Sequence, residues 1–455
     1  MQEILFTKAF YLQQAELEQL RMAIGFAEQA HAGQYRISGE PYIIHPFAVT
    51  EILLDYQADI TTLIAALLHD VVEDTHYTTE DITQQFGTKI AMIVEGLTKV
   101  DKKDVTGKDE YKAINLKKLL LAAQMDIRVA IIKVVDRLHN MRTLQVKTAQ
   151  KQVPYASETL KIFSPLCKKL KLSYIRRELE ELSFFYLKPS KYDKTKHCLK
   201  QYEQLLERLS QTLQTSLAST IPFTISYEME PMYSAYSKIK DNEEFAAIAK
   251  MIITTSNALD CYQLVGDIHQ MYQPIPHRFE DNMTNRTFNH YLKTTIMLDH
   301  LQLDIIIETT ENRLRREQGV FYFLTDATRE HQAHQLMDTF ILTNHQLTQN
   351  AIEFYDFITF ELLQETITAF TPALDTVYLP QDATIIDFAF TLNPALAKRM
   401  FGAKINGVEK PLTTKVAHLD IVELLVANQE NQNLNEWLNF ANSSKAQFAI
   451  NQELA

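Results

Sequence analysis

The stretch ALLHDVVEDT, residues 66–75, sets His69, Asp70, Glu73 and Asp74 at the end of an apolar run. An imidazole and an adjacent carboxylate are both ligands for a divalent metal, and carboxylates a turn further on can take a proton from water. On a continuous helix residues four apart stack, so His69 would lie over Glu73 and Asp70 over Asp74. One face would then carry a metal-binding pair and, a turn later, a carboxylate pair. A His-Asp doublet alone is weak, because such pairs arise by chance; its company strengthens it. In EPYIIHPFAV, His45 stands beside Pro46 at an apolar helix start, and in IIKVVDRLHNMRTL, Asp136 ends an apolar helix where a buried carboxylate needs a partner. Two imidazoles and two carboxylates suit Mn²⁺, Fe²⁺ or Zn²⁺ better than Mg²⁺ or Ca²⁺.

Taken singly, these residues have plainer uses. His45 alone would be a core histidine, and Glu73 with Asp74 a solvated helix end. His139 reads as structural, pointing away from the Asp136 face, and His31 and His76 as surface or packing residues. Asn140 and Thr143, however, follow Asp136 at i+4 and i+7 on one face, with Thr143 about 10 Å from Asp136 along the axis. That is the span from a phosphate at a metal to the base of the same nucleotide. One helix could hold the metal at one end and hydrogen-bond a base at the other.

The elements that must position these groups are helical up to about residue 195. Apolar residues recur every three or four positions in LEQLRMAIGFAEQAHAG, HPFAVTEILLDY, TTLIAALLHDVV and NLKKLLLAAQMDIRVAIIKVVDRLHNMRTL. Pro189, in LKPSKYD, is the stop signal. The helical stretch HCLKQYEQLLERLSQTLQ opens a middle region with strand-like runs FAAIAKMIITT, KTTIMLDH and LQLDIIIETT. From Phe370 short strands and turns predict a small β-grasp-like module, and LNEWLNFANSSKAQFAI another helical segment. The expected division is a helical domain 1–195, an α/β mixed-sheet domain 196–366, a β-grasp module 367–430 and a helical segment 431–455.

Composition bounds the partners. Hydrophobic residues make up 46% and charged residues 22% of the 455, an ordinary globular balance. No apolar run reaches the roughly 18–20 residues of a membrane helix. The N-terminus lacks the basic flank and apolar core of a signal peptide, so cytoplasm is the expected compartment. A net charge of −12 argues against bulk binding to nucleic acid. Three scattered cysteines make neither a disulfide framework nor a zinc cluster, and only 10 glycines with no GxGxxG or GxxxxGK[ST] exclude a glycine-rich phosphate cradle. A metal is the device left for handling phosphate.

In order, His45, His69, Asp70 and Asp136 form the H…HD…D pattern of HD-type metal phosphohydrolases. HAGQYRISGEPYIIHP, LLHDVVEDT, FGTKIAMIVEGLTKV and DIRVAIIKVVDRLHNMRTL resemble successive motifs of the hydrolase domain of the RelA/SpoT family, and FSPLCKKLKLSYIRRELEELSFFYLKP resembles the helical segment after it. The resemblance runs almost unbroken over the first 190 residues. It implies an enzyme that degrades (p)ppGpp to GDP or GTP plus pyrophosphate with Mn²⁺. It implies that His45, His69, Asp70 and Asp136 bind Mn²⁺, and that Glu73 and Asp74 position and deprotonate the attacking water. Arg36 would lie against the guanine, Asn140 and Thr143 would line the nucleoside pocket, and Lys99 would touch phosphate, its plain alternative being a surface lysine.

The middle region departs from the family pattern. The family's synthetase domain has an Arg and a Lys for ATP phosphates where YEMEPMYSAYSKI has Glu228 and Glu230; Asn289 stands for the guanine-stacking tyrosine; Asp304, Ile306 and Glu308 replace Glu, Gln and Arg. ALDCYQLVGDIHQMYQPIP keeps the scaffold. Acids where a triphosphate needs cations repel it, which implies a degenerate pseudo-synthetase with a structural or regulatory role. The third region, FTPALDTVYLPQDATIIDFAFTLNPALAKRMFGAKINGVEKPL, resembles a TGS domain with Asn393 in place of the histidine of tRNA-sensing members. A protein or tRNA/ribosome partner would act through it. The expected function is therefore Mn²⁺-dependent (p)ppGpp 3′-pyrophosphohydrolysis. The alternatives are a non-catalytic alarmone-binding regulator, or a hydrolase of a related nucleotide such as (p)ppApp or NADPH.

Overall fold

The computed structural model describes residues 1–455 apart from 106, 218–220, 241–246, 284–289, 299, 326–328, 335–349, 364–365, 428–433 and 455. The chain forms two units, one of Met1–Asp104 with Lys118–Met337, the other of Val105–Lys117 with Asp338–Ala455.

In the first unit two helices are buried on nearly every side. Helix α4 (Ile60–Leu68) is N-capped by Asp59, whose carboxylate accepts from Thr62 N at 2.7 Å, and every residue from Thr62 to Leu68 is buried. Helix α9 (Arg128–Arg142) buries Val129–Ile132, Val134–His139 and Met141. A helix buried on nearly every side belongs at the centre of a bundle. Helices α2 (Gln14–Ala30), α3 (Ile44–Asp55) and α7 (Thr88–Leu97) pack against α4, and α3 and α7 also against α9. The carriers of the candidate ligands are thus the elements with least freedom to move.

Pro189 marks a break, but of one residue only. Helix α12 (Ser173–Leu187) ends, Lys188 intervenes, and α13 runs from Pro189 to Ser216 without interruption through residue 195. Proline is tolerated at a first helical position, where its missing N–H has no partner to lose. Beyond α13 lies a five-stranded sheet in the order β1 (Thr224–Met229), β2 (Ala249–Thr255), β5 (Leu301–Thr309), β4 (Leu292–Leu298), β3 (Glu280–Asp281). Strands β2 and β5 are parallel and the other pairs antiparallel. Met251, Ile253, Ile305 and Ile307 pack with Leu206, Leu209 and Leu213 of α13 and with Leu264 and Ile268 of α15 (Ala258–Met271). The alternate residues Lys250, Asp304 and Glu308 therefore share the other face.

The chain after the sheet returns to the helical bundle. Following α16 (Thr310–Gln318), Val320 N donates to Leu170 O at 3.1 Å, and buried Phe321 stacks on Tyr56 with centroids 5.0 Å apart. Gly319 makes this approach with φ +59°, and a Cβ there would lie 2.2 Å from Lys171 O. Backbone cannot yield as a flexible side chain does. Gly319→Ala is expected to lower the stability of the first unit by about 2–4 kcal/mol, read from urea denaturation followed by far-ultraviolet circular dichroism.

In the second unit a hairpin of Thr366–Phe370 and Thr376–Pro380 precedes a helix, Ile385–Leu392, and a sheet ordered Val422–Val426, Met400–Ile405, Val408–Lys410. The helices Leu434–Leu438 and Ser444–Leu454 are not a separate segment. Trp437, Ala441, Ala446 and Ile450 share one core with Phe388 and Phe390, and buried Asp387 accepts from the Asn442 and Ser443 amides. The three-region architecture read from the sequence is the observed one: a helical domain, a mixed sheet with helices, and a small β-rich module. Among the described residues no helix is long and apolar enough to cross a membrane.

Candidate metal centre

The doublet His69-Asp70 does not lie on a continuous helix. Helix α4 stops at Leu68 and a single turn, α5 (Val71–Asp74), follows. The His69 ring supplies the local reason: its Nδ1 bonds Ala66 O at 2.7 Å, competing with the backbone ladder at the helix end. Asp74 N still donates to Asp70 O at 2.9 Å and both carboxylates meet the Tyr42 hydroxyl, so Asp70 and Asp74 keep one side, while His69 and Glu73 part. His69 Nε2 faces Asp70, and its ring meets that of His45, the second residue of α3, which in turn faces Asp136 of α9.

His45, His69 and Asp70 each offer one ligand atom, all within 4.8 Å of one another. Asp70 Oδ2 is 3.5 Å from His45 Nε2 and 3.3 Å from His69 Nε2, and Asp136 Oδ1 is 3.2 Å from His45 Nε2. Three of the four expected ligands form one cluster, and Asp136 reaches it through His45. His69 Nε2 is buried with no hydrogen-bond partner, a costly arrangement unless a ligand satisfies it. That orphaned nitrogen, the His45 nitrogen and the Asp70 oxygen beside it, with Asp136 behind His45, fit a divalent transition metal. Burial works to lower the His69 pKa, but Asp70 beside it prevails and pushes it up to about 9. Burial likewise opposes charge on Asp136, yet Lys133, His45 and His69 hold it well below the usual carboxylate range. The two carboxylates thus favour positive charge at the imidazoles beside them, which is what a bound cation would supply.

His139 does not point away from Asp136. At i+3 on a helix it is only about 60° round the axis, and its Nδ1 is 2.7 Å from His45 Nδ1. Burial, His45 and Arg36 lower its pKa to about 3, so the ring is neutral. The arrangement that leaves the His45 Nε2 lone pair facing the carboxylates has His45 Nδ1–H donating to His139, which orients the ligand ring. Lys133, also unremarked in the sequence, bonds Asp136 Oδ2 at 3.1 Å. A basic residue one turn from a buried acid is a signal that was there to be read. His31 packs as expected, stacked on Tyr42.

Glu73 and Asp74 lie at the solvent side of the cluster and do different things. Glu73 Oε1 is 2.6 Å from Lys99 Nζ, so Lys99 is engaged with that carboxylate. Desolvation, Asp70 and Glu73 raise the Asp74 pKa against the pull of a hydrogen bond from Tyr42. Arg36 sits in the hairpin of Gln34–Pro41, closed by Gly39 at φ +89°, and its Nη2 donates to Asn140 Oδ1 at 3.0 Å. Asn140 Nδ2 in turn donates to Asp136 Oδ1 at 2.5 Å. One chain of hydrogen bonds thus runs from the metal cluster to Arg36, whose Nη1 is buried without a hydrogen-bond partner. Thr143 is the C-cap of α9 and donates its hydroxyl to His139 O at 3.1 Å; it does not join that chain.

The HD domain family matches residues 23–172 and the TGS domain family residues 367–426. Over 98% of its length the chain is 35% identical to the bifunctional (p)ppGpp synthase/hydrolase SpoT of Escherichia coli. Over the same share it is 33% identical both to the guanosine-3′,5′-bis(diphosphate) 3′-pyrophosphohydrolase of Vibrio cholerae and to the GTP pyrophosphokinase of Myxococcus xanthus. The chain belongs to the RelA/SpoT family. It spans 66% of the first two relatives and 61% of the third, and their names divide between synthesis and hydrolysis.

Within this RelA/SpoT chain, the middle-region acids are paired. Arg316 of α16 meets Glu228 at 2.5 Å and buried Glu308 at 2.7 Å, and Lys250 meets Glu228 at 3.3 Å. Lys293 meets Asp304 at 3.1 Å, and Lys238 meets Glu230 at 3.5 Å. Ile306, in register with Ile252 and Lys293, fills that face with hydrocarbon. Asn289 lies outside the described residues. Asn393 spends its side-chain oxygen as an N-cap, accepting from Ala395 N at 2.9 Å and Leu396 N at 3.3 Å.

Proposed function

We propose that this protein is a Mn²⁺-dependent (p)ppGpp 3′-pyrophosphohydrolase of the cytoplasm whose middle domain makes no alarmone. The observation that carries the reading is the cluster of His45, His69 and Asp70 at an orphaned His69 Nε2, with Asp136 against His45 and one hydrogen-bond chain running from Asp136 to Arg36. These four residues would hold the ion. A divalent metal there supplies Lewis acidity, withdrawing charge from phosphoryl oxygen and acidifying water. Arg36 and Asn140 bind and orient the base of the nucleotide, with Thr143 at the far end of α9. Asp74, its pKa raised by its surroundings, accepts the proton of the attacking water, while Glu73, held by Lys99, positions that water. Lys99 meets the leaving pyrophosphate. Attack at the 3′ phosphorus forms a new P–O bond and breaks the bond to O3′ of the ribose; O3′ takes up a proton to give GDP or GTP, and the attacked phosphorus departs in pyrophosphate.

The proposal for the middle domain rests on charge. The acids at Glu228 and Glu308 are not bare repulsive groups, because Arg316 and Lys250 neutralise them; a triphosphate would find those cations already taken. The capping role of Asn393 supports a TGS region that does not read a tRNA end.

With Mn²⁺ present, the protein is expected to release pyrophosphate and GDP from ppGpp, and to form no ppGpp from ATP and GDP. Thin-layer separation of radiolabelled nucleotides reads both. Synthesis of ppGpp would overturn the reading of the middle domain, and absence of hydrolysis that of the first. Running ppApp beside ppGpp decides which base the Arg36 pocket prefers.

A further inference from the structure

Tyr42 belongs to no part of the ligand pattern, yet it touches two of the acids. It lies three residues before His45, and its hydroxyl is 2.7 Å from Asp70 Oδ2 and 2.7 Å from Asp74 Oδ2. Asp70 Oδ2 is the same oxygen that faces His45 and His69. A phenol carries one proton to donate, so the two carboxylates share a single donor. The ring is fixed on several sides. It stacks on buried His31 at 4.8 Å and 27°, and meets the His45 ring edge-on at 6.1 Å. Its amide donates to Gln34 O at 2.9 Å. The Gln34 side chain bonds His31 Nδ1 at 2.8 Å and donates to Asp74 O at 2.7 Å. A ring held this way cannot follow the carboxylates as they rotate; they align to it.

We infer that Tyr42 is a positioning residue for the hydrolytic reaction, setting the orientation of Asp74 relative to Asp70 through the one hydroxyl they share. This rests on the hydrolase reading above. A Tyr42 that only filled space between His31 and His45 would need its ring and not its oxygen, so the oxygen is what the experiment removes.

In Tyr42→Phe, kcat on ppGpp is expected to fall about 30-fold with KM within about 3-fold, and Mn²⁺ affinity measured by calorimetry to fall about 10-fold. Placed on Asp74→Asn, Tyr42→Phe should lower kcat by less than about 3-fold more, because its route through Asp74 is already cut. Unchanged kcat and Mn²⁺ affinity in a folded Tyr42→Phe overturn the inference, as does a full multiplicative loss in the double variant. Should Tyr42→Phe not fold, 3-fluorotyrosine inserted at that position replaces it. Its fluorine resonance should shift when Zn²⁺ is added to the otherwise native chain and stay in place in Asp70→Ala; no shift in the native chain overturns the inference. If the native protein hydrolyses no ppGpp, the hydrolase reading fails, while Mn²⁺ affinity and the fluorine shift still decide whether Tyr42 sets Asp70.

Discussion

Asp70→Ala is expected to reduce ppGpp hydrolysis by about 10³-fold or more, a loss of about 4 kcal/mol of transition-state stabilisation. Mn²⁺ binding followed by calorimetry should fall by at least about 10²-fold in the same variant. The reason is position. Asp70 Oδ2 is the oxygen within 3.5 Å of both candidate imidazole ligands and within hydrogen-bond reach of Tyr42. The fold should survive, because the Asp70 side chain caps no helix and its neighbours Leu68 and Val71 supply the packing. A variant that melts like the parent and has lost both metal and activity establishes Asp70 as a ligand. One that keeps Mn²⁺ affinity would remove it from the site.

Arg128→Met should have the largest effect on stability. Arg128 is buried at the start of α9, and its guanidinium meets Asp59 at 2.5 Å, Asp126 at 3.1 Å and Glu330 at 2.7 Å. It joins the cap of α4 to the chain that returns from the sheet. Removing it leaves three carboxylates together with, among the described residues, Lys89, 3.1 Å from Glu330, to answer them. The expected loss is about 3 kcal/mol, the lower end for breaking a buried ion pair, because the carboxylates keep some contact with water.

A pH dependence accompanies it. Burial works to raise the Glu330 pKa, but Arg128 and Lys89 outweigh it and bring it down to about 2 from an ordinary 4.5. A depressed folded-state pKa stabilises the protein above the unfolded value and loses that stabilisation as pH falls through the folded one. The native chain should therefore lose this contribution between about pH 4.5 and pH 2, and Arg128→Met should lose less of it. Urea midpoints at pH 7, 4 and 3 check both statements. Equal acid sensitivity in the two proteins would exclude Arg128 as the cause.

Much of this was legible in the chain. Helical periodicity through about residue 195 and the strand-like runs FAAIAKMIITT, KTTIMLDH and LQLDIIIETT follow from local patterns, which a linear sequence carries. The order His45, His69, Asp70, Asp136 was also legible, since ligand chemistry restricts residue type and the motifs lie on apolar elements that must be buried. Asn140 at i+4 from Asp136 followed from helix geometry, and the structure joins the two by a hydrogen bond.

Other features depended on contacts between distant segments. Whether α4 continued through His69 turned on a side-chain bond to Ala66 O, and with it the partners of Glu73 and Asp74. The roles of Tyr42 and His139 arise where the Gln34–Pro41 hairpin, α3 and α9 meet, far apart in sequence. Charge in the middle domain depends on distant contacts for the same reason: Glu228 and Glu308 look repulsive along the chain, but Arg316, on a helix 88 positions from Glu228, pairs with both. The sequence by itself determined the elements and the ligand types, because those depend on residue chemistry and local periodicity. Tertiary structure alone decided which oxygen, which ring nitrogen and which cation each ligand meets, because those are set by distances between elements that no spacing along the chain encodes.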